Sequence, residues 1–197
     1  GMTFTSGYAA AANCAPSRAC ALTGQNTPRH GVYTVKSSER GKSKDRKIIP
    51  TPNTQYIENN NLTFAHALRG AGYTTATMGK WHITPDPLAN GFDLNIGGNQ
   101  AGDPYTGGYH SPFNYPNLVV KEKGKFLTDE LTNHAIKFIK KNKAQPFLLY
   151  LPYYAIHGPI QAKSPLIEKY TKKQPSKAQN DSKYAALIET LDNNIGR

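Results

Sequence analysis

Two cysteines in 197 residues, only six positions apart, leave no material for a disulfide framework. Long apolar runs are missing as well. No stretch approaches the ~20 residues that span a bilayer. Residues 1–12 lack the basic-then-apolar pattern of an export signal. No internal repeat is evident, which sets aside solenoids and propellers. Acidic residues are scarce: 13 against 24 lysines and arginines, for a formal charge of +11. Between Lys121 and Lys183 thirteen lysines face five acidic residues. Such a surface attracts anionic polymers, nucleic acid or sulfated polysaccharide among them. The plainer reading, a solvated lysine face balanced elsewhere, is preferred, because charge patterning speaks to association and not to fold. The remaining 38% of hydrophobic residues is enough for a core.

The chain reads as alternating helices and apolar strands. Thr3–Ala9 is a candidate strand. Residues 34–60 are polar, with Lys, Ser, Pro and Asn clusters, and read as a long loop. Leu62–Arg69 reads as a short helix closed near Gly70 or Gly72, and Tyr73–Met78 as a strand. Residues 83–118 are rich in Gly, Pro, Asn and Tyr and read as an irregular excursion. Leu127, Leu131, Ala135 and Ile139 recur at helical spacing and predict a helix over 128–142. Phe147–Tyr153 is nearly continuous in apolar residues, as in a strand buried on both faces. Ser164-Pro165 starts another helix. Tyr184, Leu187, Ile188, Leu191 and Ile195 mark a last one. This alternation predicts an α/β architecture with a mainly parallel sheet flanked by helices.

The most informative stretch is Cys14-Ala15-Pro16-Ser17-Arg18-Ala19-Cys20-Ala21-Leu22-Thr23-Gly24. Pro16 suits a first helical turn and Gly24 a helix stop. Cys14 then sits at a helix N-terminus, whose free N–H groups and dipole favour an anion. Arg18 follows one turn later on the same face, with a planar fork suited to tetrahedral oxyanions. A plain buried thiol is the ordinary alternative for Cys14, and the expected state of Cys20. The stretch Gly72–His82 ends in Gly79-Lys80-Trp81-His82. Continued as an extended strand, it would put Lys80 and His82 on one side and Trp81 on the other. His157-Gly158-Pro159 directly follows the strand at 147–153, where open α/β sheets bind ligands. Gly91-Phe92-Asp93 reads as structural. His30, His66, His110 and His134 lack supporting partners and read as structural or exposed.

The first stretch resembles the signature of the type I sulfatases, Cys or Ser, any residue, Pro, Ser, Arg, three residues, Leu, Thr, Gly. Gly79–His82 is similar to their second signature, and His157-Gly158-Pro159 to their His-x-Pro. The resemblance runs from Met2 to Arg197. It implies the alkaline phosphatase-like fold and hydrolysis of sulfate esters on a sulfated carbohydrate, with aryl sulfates as further substrates. It implies oxidation of Cys14 to Cα-formylglycine by a formylglycine-generating or anaerobic sulfatase-maturing enzyme. The hydrated aldehyde then offers one hydroxyl to attack sulfur and a second to expel sulfate, where a serine would be left as a stable ester. In that scheme Arg18 and Lys80 stabilise negative charge, Lys80 and His157 bind the sulfate, His82 assists elimination, and His157 serves the leaving oxygen.

The resemblance also implies calcium, with magnesium as the alternative, and Cys14 as formylglycine would be one ligand. Neither the family's Asp-Asp pair nor its Asp-Asn or Asp-Gln pair can be placed. Asp192-Asn193 reads as an exposed helix position instead. Residues 1–197 are therefore expected to be part of one catalytic domain, without its N-terminal metal motif and its C-terminal portion, and inactive in isolation. A periplasmic or extracellular location follows from the resemblance, with neither a membrane span nor a nucleic-acid partner. The alternatives are a phosphonate or phosphodiester hydrolase of the same superfamily, and an inactive fragment that binds anionic glycans.

Overall fold

A computed structural model describes residues 2–58 and 61–197. Three parallel strands form its central sheet: β1 (Thr74–Met78), β2 (Leu94–Ile96) and β5 (Phe147–Tyr150), in the order β2-β1-β5. Alternation along the strands sends side chains to two separate cores. Ala76, Met78, Phe147 and Leu149 join one cluster, with the buried Leu127, Leu131, Ala135 and Phe138 of α4 (Leu127–Asn142). Leu148 and Tyr150 join the other, with Ala15, Ala19 and Leu22 of α1 (Cys14–Thr23), Ala65 of α3 (Phe64–Gly70), Trp81 and Phe92. A four-residue helix α2 (Thr27–His30) follows α1. α5 (Ser164–Thr171) and α6 (Ser182–Gly196) pack on each other, and Ala186 and Leu187 of α6 reach the α4 side. The result is the expected parallel sheet with helices on both faces.

Several local expectations are corrected. Residues 3–9 form no strand; Met2, Phe4 and Tyr8 are exposed, and an unpaired segment cannot satisfy its backbone in a ladder. The 83–118 excursion contains β2, a turn of 3₁₀ helix at Pro87–Asn90, and β3 (Phe113–Tyr115), which pairs antiparallel with β4 (Leu118–Val120). It is held by side-chain bonds that no periodicity announces. Asn95 Nδ2 donates to Gly98 O (2.8 Å), and Asn90 Nδ2 to Thr84 Oγ1 (2.8 Å). β5 is half-buried throughout, not buried on both faces, because it lies at the sheet edge. In α4 the buried stripe continues through Phe138 and Asn142, and Ile139 is exposed. Eleven residues from Leu127 make about three turns, whereas twelve rotate a side chain about 120° off the stripe. On α6 the buried face is Ala186, Leu187, Thr190 and Asn194, while Tyr184, Ile188 and Ile195 are exposed. The loop at 34–58 is irregular as expected, apart from a single 3₁₀ turn at Ser43–Asp45, and residues 59–60 lie outside the described residues.

Candidate active site

α1 begins at Cys14, as its local sequence requires. Asn13 is the extended residue before it, and Gly24 closes the helix in the left-handed conformation at φ 66°. With Pro16 in the first turn, Cys14 is left among N–H groups that the helix does not use. The helix is fixed by Ala15, Ala19 and Leu22, whose burial turns Arg18 toward the sheet.

Arg18 Nε donates to the carbonyl of Trp81 (2.7 Å), and Nη2 donates to that of Lys80. The guanidinium also lies over the Tyr150 ring, 5.8 Å from its centre. One arginine thus joins the first signature to the second and to the end of β5. Burial lowers its pKa from the ordinary value, partly opposed by Tyr150 and Cys14.

The segment after β1 does not continue as a strand. Gly79 takes φ 115°, and a Cβ there would lie 2.3 Å from the carbonyl oxygen of Pro152. Only glycine lets the two strand ends approach so closely. Lys80 N then donates to that same carbonyl (2.8 Å). The expected sidedness survives by another route. Trp81 is fully buried in the second cluster, with Nε1 donating to Thr84 Oγ1 (2.8 Å). Lys80 is buried, 7% exposed, and stands beside Cys14, with which it interacts electrostatically. Burial pulls its pKa down and Arg18 adds to this; Cys14 and Asp103 oppose it.

His82 has φ 64° and donates its backbone N–H to Asn99 O (2.9 Å). Burial, then Lys80, Arg18 and His157, push its pKa from 6.5 to about 4. A lowered value means that the ring is neutral through the neutral range and gains a proton only near pH 4, so it can serve as a base. Its Nδ1 has no hydrogen-bond partner among the described residues, which further disfavours a charged ring.

His157 is exposed, yet its backbone is tightly held. Its N–H donates to Tyr154 O (2.9 Å), and its carbonyl accepts from Tyr109 OH (2.7 Å). Nδ1 lies 2.8 Å from Gly158 O, so that nitrogen carries a proton and Nε2 is the free one.

Cys14, His82 and His157 line one cavity of about 610 Å³, together with residues 34–36, Gln55 and 100–103. Lys80 and Arg18 stand beside Cys14, near enough for their charges to act on it, and Arg18 is bonded to the Lys80 carbonyl. All five sequence-predicted side chains therefore meet. A second cleft of about 570 Å³ along α5 and α6 contains none of them. The cavity lies beyond the carboxyl ends of β1 and β5, where parallel sheets bind ligands.

Sequence reasoning missed Gly102. A Cβ on it would fall 2.4–2.8 Å from three atoms of the His82 ring. Asn99 shapes this turn: its Oδ1 accepts from Ala101 N (2.8 Å), and its Nδ2 donates to Tyr105 OH (2.8 Å). A single glycine in a Gly-rich stretch carries no local signal of such a contact. Gly102→Ala is expected to displace the ring toward solvent and raise the His82 midpoint from about 4 toward 6.5, followed by NMR titration. An unchanged midpoint would show that the turn yields and the ring does not.

Among the described residues no three His, Cys, Asp or Glu side chains converge to hold a metal ion. Phe92 is buried, and Asp93 Oδ2 accepts from Thr75 N (2.9 Å) and Oγ1 (3.0 Å), a structural role. Cys20 is buried against His30, with Sγ 3.3 Å from Nε2. His30 and His66 do have partners, but local ones: Val32 N donates to His30 Nδ1, and His66 completes a capping box with Thr63. Asp192 and Asn193 are exposed.

The sulfatase family model matches residues 1–197. The chain belongs to the sulfatase family. It is 29% identical over 227 residues to the uncharacterized sulfatase YdeN of Escherichia coli, covering all of this chain and 37% of that protein. It is 29% identical over 221 residues to the N-acetylgalactosamine-6-sulfatase of Canis lupus familiaris, covering all of this chain and 39% of that protein. Among solved structures it is similar to Ps i-CgsB in complex with k-i-k-neocarrahexaose. There the TM-score is 0.71 at 25% identity, over 96% of this chain and 44% of that one. This sulfatase chain thus spans well under half the length of these relatives. Its fold is the alkaline phosphatase-like α/β fold of its structural neighbours.

Proposed function

We propose that the protein containing this chain hydrolyses sulfate esters, with sulfated saccharides as substrates, and that residues 1–197 are part of its catalytic domain. One observation carries the reading: Cys14, His82 and His157 line one cavity, with the buried Lys80 close enough to Cys14 for their charges to interact. Relatives named as sulfatases, one of them acting on N-acetylgalactosamine 6-sulfate by its name, support the substrate class.

Cys14 is half-buried, lies at a helix N-terminus and opens to the cavity, a setting that fits Cα-formylglycine in its place. Hydrated, that group supplies two hydroxyls, one to take up the sulfuryl group and one to release it. The helix N-terminus, Lys80 and Arg18 put positive charge where a sulfate against position 14 would carry its negative charge. His82, neutral and free at Nδ1, accepts a proton from a hydroxyl at position 14. His157, with Nδ1–H engaged by Gly158, presents Nε2 to the departing oxygen and, when the ring carries a second proton there, gives that proton up and is left as the neutral Nδ1–H form. The balance is ester plus water to alcohol plus hydrogen sulfate. A maturing enzyme acting on Cys14, calcium or magnesium with its remaining ligands from outside this chain, and a periplasmic or extracellular location belong to the same proposal. No helix among the described residues is long and apolar enough to cross a membrane.

The test is sulfate release by the full-length protein, expressed with a maturing enzyme, from saccharide and aryl sulfates, with a phosphonate monoester as competitor. Preferred turnover of the sulfates supports the reading. Preference for the phosphonate, or binding of sulfated saccharide without turnover, overturns it.

A further inference from the structure

The wall of the Cys14 cavity contains a lysine with no role in the chemistry above. Lys36 lines it together with Thr34, Val35 and Gln55. Its side chain is exposed, and it makes no ion pair among the described residues. Its backbone sits at φ 62°, a region that favours glycine or asparagine.

That conformation is held from outside. Asn53 Oδ1 accepts from Tyr33 N (2.7 Å) and Thr34 N (3.0 Å). Its Nδ2 donates to Thr34 O (3.1 Å) and to Lys36 O. One asparagine therefore makes four hydrogen bonds to a four-residue strap. The strap is tied in turn to the nucleophile's helix, since Asn13 Nδ2, on the residue before Cys14, donates to Thr34 Oγ1 (3.1 Å). Thr54 N closes the other side on Gly31 O (2.9 Å). The backbone under Lys36 is fixed relative to Cys14, while its ammonium is free. A bulky residue kept in left-handed backbone at a cavity wall is a reason to look for function there.

The charge cannot duplicate that of Lys80 and Arg18, which stand beside Cys14. It comes from a different segment and faces the space that the rest of a substrate must occupy. The one carboxylate lining that space, Asp103, belongs to the 99–103 turn beside His82 and Lys80, so a second anion is turned away from that side.

We propose that Lys36 is a specificity-determining residue, held by Asn53 to bind a second anionic group, sulfate or carboxylate, on the saccharide whose sulfate ester lies at Cys14. This rests on the sulfate-ester reading above. The test uses the full-length matured protein and four substrates: an aryl sulfate, a monosulfated neutral saccharide, a disulfated saccharide and a monosulfated saccharide containing a uronate. Lys36→Gly suits the left-handed backbone and removes the side chain with its charge. It is expected to raise KM about fivefold for the doubly charged substrates, with kcat nearly unchanged and the singly charged ones unaffected. The effect should shrink at high salt. Lys36→Arg should restore the wild-type KM. Asn53→Ala, which frees the strap, should reproduce the selective KM rise. A response to the disulfated or the uronate substrate alone identifies which anion is read. An equal change on all four substrates, or none, overturns the role of Lys36 while leaving the sulfate-ester reading intact. Absence of any sulfate release by the wild type overturns both.

Discussion

Cys14→Ala is expected to abolish sulfate release from every substrate, with a loss on the order of 10⁶-fold, the scale of removing a covalent nucleophile. The size follows from how the site is arranged. Arg18, Lys80 and the N-terminus of α1 all put positive charge around one atom, the sulfur of residue 14. Without a nucleophile there, those cations still bind sulfate but have no bond-forming partner. Binding of a sulfated saccharide should therefore survive in the variant while turnover does not. Intact-peptide mass spectrometry of residue 14 accompanies the assay. In a host with the maturing enzyme, the wild-type peptide should carry the aldehyde in place of the thiol. Full activity with the thiol retained would refute formylglycine as the reacting group, and undiminished turnover by Cys14→Ala would refute position 14 itself.

His157→Ala should cost ~10²–10⁴-fold on saccharide sulfates and far less on aryl sulfates. A sugar leaves as an alkoxide, which needs a proton; a phenolate leaves without one. The geometry supports a proton donor at this place. The backbone of His157 is tied at both N and O, and Gly158 occupies Nδ1, so the free Nε2 has a set direction despite its exposure. The contrast between leaving groups is the readout, because a general loss of structure would depress both substrates alike. Equal losses would leave His157 as a sulfate-binding residue only. Tyr109, whose hydroxyl donates to the His157 carbonyl, is buried and held un-ionised by that burial, so it is a fixed donor across the working pH range.

The chemistry-bearing residues were legible because each belongs to a contiguous stretch with its own local logic. Pro16 and Gly24 bound a helix and so put Cys14 at its start. Gly79–His82 follows a β-rich run, and His157 follows an apolar one. Where the same reasoning extended a pattern by rote, it failed at the margins. Residues 3–9 have strand-like composition but no pairing partner among the described residues, and strands exist only in pairs. Ile139 continues the stripe of α4 by count, yet the helical repeat puts Phe138 in its place. The apolar run of β5 predicted burial on both faces; its position at the sheet edge leaves it half-buried.

The resemblance of three short stretches to the sulfatase signatures pointed to the five side chains that meet. By itself the sequence determined the α/β class and the starts and stops of the principal helices. These rest on interactions within about ten residues, where propensity, capping and hydrophobic period act directly. Only the tertiary structure decided how those side chains are held and what surrounds them. Arg18 reaches carbonyls more than sixty residues away, at Lys80 and Trp81. Gly102 leaves room for the His82 ring. Asn53 secures the strap that carries Lys36 into the cavity wall. Contacts of this kind join segments distant in the chain through single hydrogen bonds and the absence of one methyl group. Neither leaves a periodic trace in the sequence, because nothing in the residues next to Gly102 or Asn53 depends on what they touch.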